Sequence, residues 1–462
     1  MTTATTATTP PGGLPGALKG GLLAAGVFAA CWGGAIWYWR GMQGTPGSVE
    51  LALALLVLPL ALLGALWFGR RMIAARAAAP AAASTAKPAT AQPAVAALPA
   101  LAIVATALRS PHGASAEELA GALAGNKARP DLDRELVDDD GFPVSAARCE
   151  DAEDEALREE IGDWLANNAM AQVGFSDEQW RALLLGSAVV AELASRATEL
   201  LPAEGTPPAL QLLPLLPPEW PEPQRQGAGA WFRHLAGSVG WPARHIVLSD
   251  TRAATPAAPF EQLAQEAARQ AAPMVALVIA CASHIGQETV DDWAGKGLLF
   301  TASRPQGLVP GEGAAGLLLT SPALAQSVEG NLFALLDPPA QGAAAQAGQR
   351  ADPALLGELA TRAAGAANIK LDELAMVVAD TGQRQQRNLE LMGMRSSAMP
   401  QLDDSEDVFC VGTASGACAA VPFITALALA QHGVLVRGGP VLCISNESAL
   451  ARCALLVRPG AA

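Results

Sequence analysis

RPQGLVPGEGAAGLLLTSP, residues 304–322, is the stretch from which the fold of this 462-residue chain can be read. Residues 314–321, AAGLLLTS, are a continuous apolar run closed by Ser321 and Pro322. A run of this kind marks a strand covered on both faces. The glycine-rich lead-in, GEGAAG, superficially resembles a phosphate cradle. It lacks the Lys and the Ser or Thr of such a loop, and it opens a strand where phosphate loops open a helix.

Similar runs flank it. HIVLSD at 245–250 and MVALVIACAS at 274–283 come before. LAMVVADTG at 374–382, VFCVGTASG at 408–416, PVLCISNES at 440–448 and RCALLVRP at 452–459 come after. LAIVATAL at 101–108 reads as the first strand, and RALLLGSAVV at 181–190 as a second. Helical stretches at 260–271, 354–367 and 417–432 lie between them. Apolar strands separated by helices predict an α/β domain with mostly parallel, buried sheets. The Pro-rich region 203–225 reads as a surface insertion.

The N-terminal part differs in kind. Gly20 to Trp39 and Leu51 to Gly69 carry no charged residue. Each run is about 20 residues, enough to cover a hydrocarbon core of about 30 Å. Trp32, Trp37, Tyr38, Trp39, Trp67 and Phe68 sit where aromatic rings favour the lipid–water interface. A transmembrane helical hairpin is expected over 19–70, after a disordered tail at 1–18 and before an Ala/Pro-rich linker at 71–100. Lys19, Arg70, Arg71 and Arg76 flank the spans, and the connecting loop has only Arg40. Both ends, and with them the 101–462 domain, are therefore expected on the cytoplasmic face of a bacterial inner membrane.

The net charge of −14 argues against a nucleic-acid partner. Seven Cys without a CxxC pair, and five His of which only His284 lies close to a Cys, Cys281, support neither a disulfide framework nor a zinc site. No metal or cofactor is expected. Asp138-Asp139-Asp140 and the 403–407 acidic run read as solvated loops.

The order of these segments resembles the thiolase fold, specifically the β-ketoacyl synthase family. AIVATALRSPHGASAEELAGALAGNKA at 102–128 is similar to the synthase opening: strand, Ser-Pro-x-Gly turn, helix. VALVIACASHIGQETVDDWAGKGLLF at 275–300 is similar to its central strand, and Gly311-Glu312-Gly313-Ala314 to its Gly-Glu-Gly-Ala motif. VGTASGACAAVPFITALALAQHGVL at 411–435 is similar to its small-residue turn and long helix. The resemblance spans about 101–462 and implies a layered α/β/α/β/α domain. It also implies pairing through the nucleophile-half sheet, as a homodimer or with a synthase-like partner.

The family's chemistry needs a Cys nucleophile at a helix N-terminus and two histidines. In register, the nucleophile turn reads SDTRAATPAAP, without Cys. Asp380 stands where the first histidine is expected and Thr413 where the second is; the terminal glycine-rich loop reads SNESA at 445–449. Chemistry-bearing motifs are replaced while the framework persists. The sequence therefore points to a non-catalytic, membrane-anchored scaffold or adaptor. Family association raises a type VI secretion setting. The rival is a divergent acyltransferase or ketoacyl synthase acting on carrier-bound chains, with Cys418 or Cys281 as nucleophile and Asp380 or His284 as helper. A third reading is an acyl-binding sensor. Cys281 reads as a buried thiol at a strand end, and Cys418 as a thiol near a helix start without a neighbouring base.

Overall fold

The computed structural model describes residues 98–460, apart from 203, 250–254, 270–272, 329, 331 and 345–350. The expected tail, hairpin and nearly all of the linker lie outside these residues. Among the described residues no helix is long and apolar enough to cross a membrane.

In chain order the first half contains β1 (Leu101–Arg109), α1 (Ala116–Ala124), β2 (Asp131–Val137) and β3 (Pro143–Ala146). It continues with α2 (Glu155–Asn167), α3 (Asp177–Thr198), β4 (Leu210–Leu215), α4 (Glu222–Ser238) and β5 (Ile246–Leu248). Then come α5 (Ala258–Arg269), β6 (Val275–Ser283), α6 (Gln287–Gly295) and β7 (Glu312–Thr320). The second half has α7 (Pro322–Ser327), β8 (Ala334–Leu336), β9 (Ala340–Ala343), α8 (Pro353–Ala366) and β10 (Met376–Ala379). It ends with α9 (Gln385–Ala398), β11 (Val408–Cys410), α10 (Val411–Ser415), α11 (Val421–Arg437), β12 (Val441–Ser445) and β13 (Ala451–Pro459).

Apart from the β2–β3 hairpin, the strands form one sheet in the order β11-β10-β12-β13-β8-β1-β7-β6-β4-β5, with β9 beside β13. The expectation of mostly parallel pairing holds only in its wings. β10 pairs parallel with β11 and β12, and β4 with β5 and β6. The centre is antiparallel: β7 runs against both β1 and β6, and β13 against both β12 and β8. All nine residues of β7 are nevertheless buried. Apolarity along a strand records how its faces are covered and carries no direction, so the two pairings look alike in sequence.

Three apolar clusters give the layering. The largest joins the facing sides of both wings through α5 and α11, with Phe260 edge-on to Phe423 at 6.0 Å. Another packs α3 and α4 on the outer side of β4, β6 and β7, and a third packs α8 and α9 on the outer side of β10 and β12. The helix α11 is buried along most of its length, which matches a sequence apolar all round and fits it for the middle layer. Gly438, at φ 69, ends it in the left-handed conformation that glycine adopts without cost.

Three expectations change here. Residues 181–190 belong to α3, a 22-residue helix with a Ser176/Gln179 capping box and Asp177 and Glu178 in its first turn. The ten-residue window is too apolar to show helical period, because α3 is covered on most sides by β6, β7 and α4. The Pro-rich region 203–225 contains β4, whose Leu210, Leu212 and Leu213 are fully buried. Pro214 pairs with Ile279 of β6, beyond the described β4–β5 register, which runs from Leu210 to Leu212. The expected strand 408–416 also divides: it ends at Cys410 and turns into the short α10.

Candidate functional site

The parallel strands β4, β10 and β12 all end at one cavity of about 940 Å³. Carboxyl ends of parallel strands are where open α/β sheets place ligands. One wall is apolar: Leu215, Leu216 and Trp220 beyond β4, with Pro422 and Phe423 at the start of α11. The other is polar: Asp380, Arg384, Ser445 and Glu447. The segments 307–309 and 416–420 complete it. Next to them the backbones of Gly311 and Ser415 come so close that a Cβ on Gly311 would lie 2.0 Å from the Ser415 carbonyl oxygen, which explains the first glycine of the Gly-Glu-Gly-Ala motif.

The motif's carboxylate is an anchor. Glu312 is fully buried and takes both Nε and Nη2 of Arg181, at 2.8 and 2.7 Å. It also accepts the Cys149 amide at 2.7 Å and the Ser283 hydroxyl at 2.8 Å. Burial opposes the Arg181 charge, but the Glu312 and Glu153 carboxylates outweigh it and hold the guanidinium above its ordinary value. Every lone pair facing the interior is used, as a buried charge requires.

Asp380 is buried at the tip of β10. Its carboxylate accepts the Ser445 hydroxyl at 2.5 Å and the amides of Asn446 and Glu447 at 2.9 and 3.2 Å. Burial pushes its pKa up to about 6 against the pull of those donors. Around it, Thr381 Oγ1 donates to Asn446 at 2.7 Å, and Arg384 Nε and the Gly382 amide donate to Glu447 at 2.8 and 3.0 Å. The turn after β10 is thus locked to the loop after β12. Asp380 and the 445–447 loop complement each other: a carboxylate acceptor is surrounded by donors of that loop.

Of the sequence candidates, the cavity brings together Asp380 and Cys418. Cys418 precedes α11 by three residues and does not sit in its first turn. Its Sγ donates to the carbonyls of Ser415 and Gly416 at 3.6 and 3.8 Å. Burial, then the Glu312 charge, pushes the thiol well above its ordinary value, so it stays protonated. Cys281 lies on the far face of β6, packed on Gly186 of α3, and burial pushes it up to about 12. His284 does not pair with Cys281: its Nδ1 meets the Ala417 carbonyl at 2.6 Å and its Nε2 meets Glu219 at 3.3 Å. Thr413 turns its hydroxyl onto the Cys410 carbonyl at 2.6 Å and lines a separate cavity of about 720 Å³. Residues 250–254 of the nucleophile turn lie outside the described residues, while its Thr255 and Pro256 line the main cavity. Among the described residues no His, Cys, Asp or Glu cluster could hold a metal.

Sequence reading missed Arg181, Glu219 and Arg384, and placed Ser445 and Glu447 in the terminal loop without giving them a role. Arg181 was hidden by assignment of its segment to a strand. For the others the sequence held only half a signal, since an acid and its donor lie far apart along the chain.

No family model and no curated protein matches the sequence. Solved structures do. The oxazolomycin ketosynthase domain from Streptomyces albus JA3453 superposes with a TM-score of 0.54 at 13% identity, over 79% of this chain and 74% of that one. The ketosynthase from module 6 of the bacillaene synthase of Bacillus subtilis 168 gives 0.56 at 14%, over 78% and 72%. A type II PKS acyl-carrier protein in complex with its ketosynthase bound to the hexaketide gives 0.55 at 12%, over 78% and 100%. At this identity the likeness establishes fold: residues 101–460 have the mixed α/β, thiolase-like fold of ketosynthases.

Proposed function

We propose that this chain is a divergent ketosynthase-fold protein whose cavity binds an acyl-type ligand without covalent capture at a cysteine. The observation that carries this is the cavity itself, apolar on one wall and polar on the other, with its one thiol held protonated by burial. Apolar walls suit a hydrocarbon chain, and a few fixed polar groups suit a carbonyl or amide at its head. Calorimetry with octanoyl-N-acetylcysteamine tests it. Saturable one-to-one binding is expected in the wild type, and its loss in Ala420→Trp, which fills the cavity from the start of α11. Absence of binding in the wild type overturns the proposal.

One observation favours an enzymatic version of the same site. Asp380, with its pKa pushed up to about 6, is an acid–base group in the working range of enzymes and lines the cavity. A turnover assay with the same thioester, comparing wild type with Asp380→Asn, separates the versions: release of free thiol by the wild type alone supports catalysis.

Two further features belong to this reading. The apolar runs at 20–39 and 51–69 would hold the domain at a membrane, where an acyl ligand is found. The edge strand β5 would pair with a second copy: Val247 is 50% exposed at the open end of the sheet, where unpaired backbone invites another strand. The scaffold role and the type VI secretion setting have no residue of the cavity behind them.

A further inference from the structure

His284 sits at the end of β6, behind the cavity wall. Its Nδ1 is 2.6 Å from the carbonyl oxygen of Ala417. Its Nε2 is 3.3 Å from the Glu219 carboxylate. A carbonyl can only accept. The Glu219 carboxyl is held below the usual carboxylate range, first by its hydrogen bond to His284, so it too is an ionised acceptor. A ring with acceptors at both nitrogens carries a proton on each.

The two acceptors belong to two different segments of the cavity lining. Ala417 lines the cavity within the 416–420 segment, and Glu219 lies between Pro218 and Trp220, which line it beyond β4. We propose that His284, as an imidazolium, is a positioning residue: it clasps the 216–220 wall to the 416–420 wall and so sets the shape of the cavity. This goes beyond the ligand reading and holds whichever ligand is taken.

The surroundings fit a charged ring. Glu178 of α3 faces it, with Glu288 of α6 near Glu178 and Arg225 of α4 near Glu219. The Trp293 ring lies 5.2 Å away, centre to centre. Burial pulls the imidazole down, but the Glu219 hydrogen bond and the Ala417 carbonyl outweigh it and hold it above its ordinary value. A histidine raised on folding stabilises the clasp fully below about 6.5, its unfolded value, and loses that stabilisation as pH rises through the raised folded value.

The test is hydrogen exchange of the full-length protein between pH 5.5 and 8.5, corrected for intrinsic exchange and read at amides of 216–220 and 416–420. In the wild type, protection of both segments falls together with rising pH, by about tenfold or more, as expected for loss of a charged hydrogen bond. His284→Gln keeps a single donor amide and cannot titrate; its protection is lower at acid pH and flat across the range. Glu219→Gln moves the wild-type transition to lower pH. Because the chain has only five His, the His284 ring can be followed by NMR in the same samples. Protection that is flat in the wild type, or pH-dependent in His284→Gln, overturns the proposal. A transition that affects one segment alone overturns the clasp as well.

Discussion

The Ser445 hydroxyl donates to Asp380 at 2.5 Å, joining the loop after β12 to the tip of β10 across the polar end of the cavity. With the amides of Asn446 and Glu447 on the other carboxylate oxygen, Asp380 accepts three hydrogen bonds from its own chain. A group so engaged is first a bracket for the loop.

Asp380→Asn and Asp380→Ala should therefore differ sharply. Asn can keep one oxygen on the two amides and turn its NH₂ to the Ser445 oxygen, and stability near pH 7 should change little. Ala strands two backbone donors in a buried site and should cost about 1–3 kcal/mol in chemical denaturation.

A pH effect accompanies this. The folded carboxyl holds its proton more tightly than the unfolded one, so its stabilising contribution is complete below about 4, the ordinary aspartate value. That contribution is lost as pH rises through about 6. Denaturation midpoints recorded from pH 4 to 7 should carry this downward slope in the wild type and lose it in Asp380→Asn; an identical slope in both would assign it elsewhere.

Arg181 and Glu312 give a larger effect. Removing the guanidinium in Arg181→Met leaves a carboxylate that is 0% exposed without its cation, at a cost of about 3–5 kcal/mol. The double change Arg181→Met with Glu312→Gln should recover much of that loss. A double-mutant cycle with no coupling would show that the pair is not the anchor described.

How legible this was from sequence depends on what each residue reports. The strands at 101–109, 275–283 and 312–320 were read almost to their ends, because burial on both faces writes itself as an unbroken apolar run. α3 was missed for the same reason: a helix covered on most sides loses the period that distinguishes it from such a strand. β4 was missed because Pro-rich flanks outweighed its leucines. In the site, Asp380 was found from its place in the expected pattern, and Cys418 as a thiol near a helix start. The pairing of Asp380 with residues 445–447, about 65 positions away, has no local signature. Nor has the contact of His284 with Ala417, which turned it away from its sequence neighbour Cys281.

Self-association through β5 offers a further check. Val247→Lys places a charge at the exposed edge where a second copy would dock and should leave the fold intact. Light scattering after size exclusion should show a dimer for the wild type and a monomer for the variant; a monomeric wild type would remove the β5 interface from the account.

The central claim is that the cavity holds an acyl group without bonding it to a cysteine. The most direct measurement is denaturing intact-mass spectrometry of the full-length protein after incubation with octanoyl-N-acetylcysteamine at a concentration that saturates it. The account predicts an unchanged mass for both the wild type and Cys418→Ala. A mass gain of one octanoyl group in the wild type, absent from Cys418→Ala, would contradict it and make Cys418 a working nucleophile.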